Sequence, residues 1–249
     1  GWLIERTDAE FWMSQIEWLS ARQAYLDAEE LSLVKMKKFY DLAGLGADEK
    51  NLYHEIGNDY RDMVSPVPSV YNRIENDTII TIGGRTWRPI FGSGHSPDHV
   101  TLYNEKNQIL LGGDMLLPRI TPIIAVWWQE PDANPLDGFL KFLHGLNIPS
   151  KETIILPAHD RPYKGLSTRI TDLIQHHQNR LEITFNACND PVKASSVMKK
   201  LFKRDLDAFQ IRFAIGETIA HINYLLREGE VTRDLSPDQQ YLYQNTAAK

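Results

Sequence analysis

Three apolar runs in this chain end in glycine or proline, and each is followed within three residues by a side chain that can bind a metal. Trp87 to Phe91 leads into Gly92-Ser93-Gly94-His95-Ser96-Pro97-Asp98-His99. Gln108 to Leu111 leads into Gly112-Gly113-Asp114-Met115, and Thr153 to Leu156 leads into Pro157-Ala158-His159-Asp160. The β-branched, alternating character of these runs is that of strands. A strand end aims a side chain more firmly than a mobile loop does. Strands that open into functional loops, with helical stretches such as Pro135 to Leu146 between them, require an α/β layered architecture.

The remaining pattern fills in that plan. Gly83-Gly84-Arg85 marks a hairpin between Thr78–Ile82 and Trp87–Phe91, and Asn104-Glu105-Lys106-Asn107 marks a second between Val100–Tyr103 and Gln108–Leu111. Thr153–Leu156 reads as a further buried strand. Near the start a short helix precedes a buried segment, Phe11-Trp12-Met13, and a helix begins at about Glu17. From Tyr25 to Met63 the spacing stays helical, with Leu31, Val34, Phe39, Leu42 and Leu45 on one face. Gly44 and Gly46 break it, and Ser65-Pro66-Val67-Pro68 ends it in an extended connector. This helical insertion, about 20–64, serves either to cap a pocket or simply to pack.

From about Thr168 the chain changes character. Helices are expected from Ile170 to Leu181, from Pro191 to Phe202 and from Gln210 to Arg227, the last ended by Gly229. Val231–Leu235 and Gln240–Tyr243 follow as a two-stranded wing around Ser236-Pro237. The predicted domains are therefore 1–167 and a winged-helix-like 168–249.

Composition narrows the function. A length of 249 residues with 42% hydrophobic content supports a real core in one large domain, or a main domain with an appendage. A net charge of −6 argues against a general nucleic-acid surface. The tail from Ile170 carries ten basic and ten acidic residues, with one basic cluster at Lys199, Lys200, Lys203 and Arg204. A structural or dimerising role for it outweighs a base-reading one, and a homo-oligomer is an open expectation. A single cysteine, Cys188, excludes an internal disulfide and suits a cytoplasmic setting. No apolar run approaches the roughly 20 residues of a membrane span.

Each metal-capable residue has a plain alternative. Taken alone, His95 reads more readily as a structural histidine than as a ligand, Asp114 more readily as a turn or helix-cap aspartate, and His159 also as a turn residue held by a neighbouring carboxylate. Covalent catalysis has no support: there is no G-x-S-x-G elbow, and Cys188 has no evident histidine partner. No phosphate-binding glycine loop is present.

Taken together, GSGHSPDH, GGDM and LPAHD resemble the third, fourth and fifth conserved motifs of metallo-β-lactamase-fold hydrolases, over the stretch from Gly1 to about Lys164. That family's H-x-H-x-D-H motif is absent from these 249 residues. Gly1-Trp2-Leu3 looks like the helix that follows it, so the expectation is an N-terminally truncated chain. Ala214 to Leu226 resembles the tail of the β-lactamase-like protein 2 group, which includes ribonucleases. The resemblance implies an αβ/βα sandwich, incomplete at its start, whose missing strands leave edges and apolar faces uncovered. It implies two zinc ions in the intact protein, with His95 on the first, Asp114 bridging both and catalytic, and His159 on the second.

It further implies a supporting position around the ligands for His99 and Asp160, and a pocket wall formed by Arg119, Trp127 and Trp128. The Trp pair reads equally as buried core. Each metal would keep one private ligand plus a share of Asp114, too few for tight zinc binding. The implied function is zinc-dependent hydrolysis of a small thioester or lactone by metal-activated water. Phosphodiester cleavage of RNA is the rival reading, and a non-catalytic remnant acting by association is the third.

Overall fold

The computed structural model describes residues 1–27, 29–46, 59–149 and 151–248. The helical expectation over 47–58, including His54, lies outside the described residues. In chain order the elements begin with α1 (Ile4–Thr7), β1 (Trp12–Met13), α2 (Gln15–Leu26), α3 (Glu29–Leu42), α4 (Asp59–Met63) and β2 (Asn72–Arg73). A run of strands follows: β3 (Ile80–Ile82), β4 (Arg85–Gly92), β5 (His99–Asn104) and β6 (Ile109–Gly113). Then come α5 (Pro135–Gly145), β7 (Ile154–Pro157), α6 (Leu166–Ala187), α7 (Ala194–Leu201), α8 (Ala208–Arg227), β8 (Val231–Leu235) and β9 (Tyr241–Asn245). This is the α/β class expected from the strand and helix patterns.

The chain forms two compact units, each assembled from three stretches. One comprises Gly1–Asp27, Asn58–Pro122 and Phe139–Leu173; the other comprises Ala28–Gly57, Ile123–Gly138 and Ile174–Lys249. The pattern-based division at 167/168 is a single cut, whereas these units are discontinuous.

The first unit is organised by a five-stranded sheet in the order β3-β4-β5-β6-β7. The first four strands pair antiparallel, and β7 joins β6 in parallel. Alternation sets its two faces. Leu110 and Ile155 are fully buried on one side, while Ile74, Ile80 and Trp87 form a small cluster with Phe91, Leu102 and Leu111. Phe139 and Leu143 of α5 are likewise buried. Burying each side chain of this size contributes roughly 1.5–3 kcal/mol. Gly92 at the end of β4 lets the Phe142 ring of α5 lie directly on the strand, where a Cβ would run into the ring.

Three sequence expectations change here. Phe11-Trp12-Met13 is not buried: among the described residues β1 pairs with β2 alone, and Trp12 faces outward with its indole N–H donating to Glu10 Oε2 at 2.8 Å. Val34 is 65% exposed, because α3 buries the Met36, Phe39, Tyr40 and Ala43 face, on which Val34 does not lie. In β7, an edge strand, Ile155 is buried but Ile154 is 37% exposed. β2 is an addition to the expected elements, since its two polar residues carry no strand signal.

The second unit is built around α8, whose residues from Ala214 to Asn223 are all buried. A helix covered on every side sits at a core centre. Its start is fixed by a capping box between Asp207 and Gln210. Phe39 and Tyr40 of α3, Val197 and Met198 of α7, and Val231 and Tyr243 of the β8–β9 hairpin complete this core. Cys188 is fully buried within it, and burial pushes its thiol up to about 11. Among the described residues no helix is long and apolar enough to cross a membrane.

Polar groups are also enclosed in this unit. His177 Nδ1 lies 3.2 Å from His221 Nε2, with the two rings stacked. Burial lowers both histidines' pKa values, and the His176 and Arg180 charges push the same way. Glu217, also buried, has a raised pKa, again from burial, partly opposed by Arg180.

Two outcomes follow from this packing. Gly92→Ala is expected to cost about 1–3 kcal/mol through overpacking against Phe142, measured as a lower urea midpoint at unchanged m-value. Histidines held neutral contribute stability that is complete above their unfolded pKa near 6.5 and lost as pH falls, because the unfolded chain takes up the protons. Glu217 opposes this, since its raised pKa makes acid favourable for the folded state. Urea unfolding between pH 7.5 and 5.5 is therefore expected to show a decline that is shallower in His221→Gln; identical slopes would remove His221 from the account.

Candidate metal-centre residues

The sheet brings the sequence-predicted residues together through strand direction. β4 and β6 both run antiparallel to β5, so they point the same way, and β7 runs with β6. The C-terminal ends of β4, β6 and β7 therefore lie at one end of the sheet. His95, Asp114 and His159 leave from those three ends, and His99, at the start of β5, pairs with Gly92 at the same end.

Asp114 is the centre of the arrangement. Its Oδ1 is 3.2 Å from His159 Nε2, and its Oδ2 is 3.7 Å from His95 Nε2. Each imidazole thus faces a different oxygen of one carboxylate. The His95 and Asp114 side chains are about one-third exposed and that of His159 is 68% exposed, so the group opens to solvent.

The loop bearing His95 is tied down from α2. The Ser14-Gln15-Ile16-Glu17 stretch is a capping sequence, and Glu17 N–H donates to Ser14 Oγ at 3.4 Å. Ser14 Oγ donates to the Asp98 carbonyl at 3.0 Å, and Glu17 Oε1 accepts from Asp98 N–H at 2.7 Å. The start of α2 therefore clamps Asp98, three residues after His95 and directly before His99. Asp98 takes part through its backbone N–H and carbonyl.

His99 packs behind Asp114. Gly113 has φ +53°, and a Cβ there would lie 2.5 Å from His99 Nε2. Burial, with His95 adding and Asp114 opposing, pushes His99 down to about 4. The neutral ring fills the space that the missing Cβ leaves. Gly112 marks an irregularity in the β6–β7 register, which redirects the chain into Asp114.

The model of the metallo-beta-lactamase superfamily matches residues 4–164, and that of a metallo-beta-lactamase-like C-terminal domain matches 181–246. The chain belongs to the metallo-β-lactamase superfamily. A crystal structure of a beta-lactamase domain protein from Burkholderia ambifaria is 33% identical with a TM-score of 0.86, covering 98% of this chain and 70% of that one. A metallo-beta-lactamase family protein from Thermus thermophilus is 27% identical with a TM-score of 0.74, covering 95% and 72%. The probable metallo-hydrolase YqjP of Bacillus subtilis is 27% identical over 150 residues, which are 59% of this chain and 46% of that protein. The matched stretch spans less than half the length of this curated relative.

The other predicted residues fall in two places. Asp160 accepts from Arg119 Nε through Oδ2, in a short hydrogen bond, and from Arg161 N–H through Oδ1 at 2.8 Å. The Arg119 hydrogen bond is the main reason its carboxyl lies below the usual range. Asp160 therefore pairs with Arg119, and both line an open cleft with Pro118 and Tyr163. Trp127 and Trp128 belong to the second unit. Trp127 meets the Phe213 ring edge-on at 5.7 Å, Val126 N–H donates to the Gly216 carbonyl at 3.0 Å, and Trp128 packs on the α8 core. Both indoles are half-buried and pack on α8 in their own unit.

One residue that matters to the site gave no sequence signal. Arg169 donates from Nε to the Leu117 carbonyl at 2.6 Å and from an Nη to the Ile120 carbonyl at 2.7 Å. It holds the segment that leaves Asp114, and nothing in a lone arginine at a helix start announces that contact.

Gly113→Ala is expected to destabilise by about 1–3 kcal/mol, since it combines a strained left-handed backbone with displacement of His99. Urea denaturation reads the cost, and an unchanged midpoint would refute this packing role.

Proposed function

We propose that this chain carries part of the metal centre of a zinc-dependent hydrolase that cleaves a small ester-type substrate, a thioester or a lactone. The observation that carries the reading is Asp114, which turns separate oxygens towards His95 and His159. A carboxylate held in this way is suited to lie between two metal positions. Membership of the metallo-β-lactamase superfamily and the probable metallo-hydrolase among its relatives support it. The net charge of −6 favours a small substrate over a polyanion.

Imidazole and carboxylate are donor types that zinc takes, but a catalytic zinc usually has at least three protein donors. Among the described residues, no group of three or more His, Cys, Asp or Glu is arranged to hold a metal ion. The donors fit zinc in kind and fall short in number. What the chain supplies is orientation. Asp114 aligns the two imidazoles, the Ser14–Glu17 clamp fixes the His95 loop, and Arg119 holds Asp160 beside His159.

On this reading the chain alone binds zinc weakly, with a dissociation constant above about 1 μM, equivalent to less than about 8 kcal/mol. Calorimetric titration is expected to give such weak uptake, further reduced at least tenfold by Asp114→Asn. Stoichiometric zinc surviving dialysis against chelator would defeat the half-site account. Substrate class is read at saturating zinc with a thioester, a lactone and RNA side by side. Thioester or lactone turnover lost in Asp114→Asn supports the proposal, and RNA cleavage alone transfers it to phosphodiesters.

A further inference from the structure

The second compact unit encloses a cavity of about 280 Å3 that contains none of the strand-end residues. Its inner wall is aromatic: Phe39 of α3, Trp128, and Tyr241 and Tyr243 of β9 all line it. Phe39 and Tyr243 are buried, and Trp128 and Tyr241 are half-buried. Such rings present apolar faces at little conformational cost.

Its rim is cationic. Lys35 and Lys38 line the cavity from α3, where their spacing of three residues places them on one side of the helix. Both are exposed. Like charges one turn apart repel each other, and an anion held between them turns that repulsion into attraction. Arg233 also reaches the cavity, but its charge is already matched. Its Nη1 donates to Asp132 Oδ1 at 2.7 Å, and its guanidinium carbon lies 4.6 Å from the centre of the Tyr241 ring. Among the described residues, Asp132 thus offsets Arg233, and the two lysines remain as the excess positive charge of the rim.

The volume limits what can enter. It lies just below the roughly 300 Å3 at which small-molecule pockets begin, so a compact ligand fits and a nucleotide does not. An apolar body with one anionic group matches the aromatic wall and lysine rim together. We propose that this cavity binds a small organic carboxylate, with its ring or branched apolar body against Phe39, Trp128 and Tyr241 and its carboxylate paired by Lys35 and Lys38. Binding here needs no metal, so its success or failure is separate from that of the hydrolase reading.

The test is isothermal titration of the 249-residue chain, free of added metal, with 2-naphthoate and with its uncharged counterpart 2-naphthamide. One naphthoate per chain is expected, with the amide at least tenfold weaker and naphthoate binding weakened by added salt. Lys35→Glu/Lys38→Glu is expected to weaken naphthoate at least tenfold and to leave the amide unchanged, whereas Trp128→Leu weakens both. Both lysines are exposed, so the charge reversal is expected to leave the melting temperature near that of the parent; Lys35→Gln/Lys38→Gln is read in the same way if it does not. Absence of saturable naphthoate binding, equal affinity for acid and amide, or naphthoate affinity untouched by the lysine variants would each overturn the proposal.

Discussion

The site depends on one constraint, the common direction of three strand ends. β4, β6 and β7 point the same way because β5 reverses between β4 and β6 while β7 joins β6 in parallel. Residues far apart in sequence then emerge side by side, and Asp114 meets His95 on one oxygen and His159 on the other. The register is what protects this. A slip of one residue in β6 would exchange its two faces, exposing the buried Leu110 and carrying Asp114 away from both imidazoles. The buried face of the sheet therefore holds the site in place without contributing an atom to it.

Around that constraint the chain adds clamps rather than further donors. Glu17 and Ser14 hold the backbone of Asp98, Arg169 holds the carbonyls of Leu117 and Ile120, and Arg119 holds Asp160. Each clamp acts on a loop immediately before or after a site residue. Loops carry most functional side chains because the backbone there is free of ladder hydrogen bonds, and the same freedom must be restrained for the side chain to be aimed. Two of the three clamps act on backbone groups, so they fix where the chain runs and leave the site's charge unchanged.

The strand runs, both hairpin turns and the three tail helices were legible because hydrophobic period and turn chemistry are local. His95, Asp114 and His159 were legible because each follows such a run within a few residues. What could not be read was partnership across the chain. Asp160 sits beside His159 in sequence yet bonds to Arg119, forty-one positions away. Trp127 and Trp128 follow Asp114 in sequence but pack on α8 in the other compact unit. His177 and His221 lie on two separate expected helices, and their pairing depends on how α6 and α8 meet, which periodicity does not encode. Phe11-Trp12-Met13 misled for a related reason. Apolar character there is real, but a two-stranded ribbon leaves Trp12 one face in solvent.

The polar interior of the second unit follows a different logic from the strand-end site. Arg180 Nε lies 3.5 Å from Glu217 Oε1, yet burial dominates and the glutamate's pKa rises despite the neighbouring cation. A buried pair of this kind contributes little net stability, because desolvation consumes most of the attraction. Its value is positional. The same guanidinium donates to His176 Nε2 at 2.9 Å and lies 4.6 Å from the centre of the Phe202 ring, so one side chain touches α6, α8 and the residue after α7. Methylene packing alone would tolerate small shifts of α6 against α8, since apolar contact is non-directional. A guanidinium with planar donors and a ring beneath it tolerates far fewer, which is how a pair of little net worth can fix a helix register.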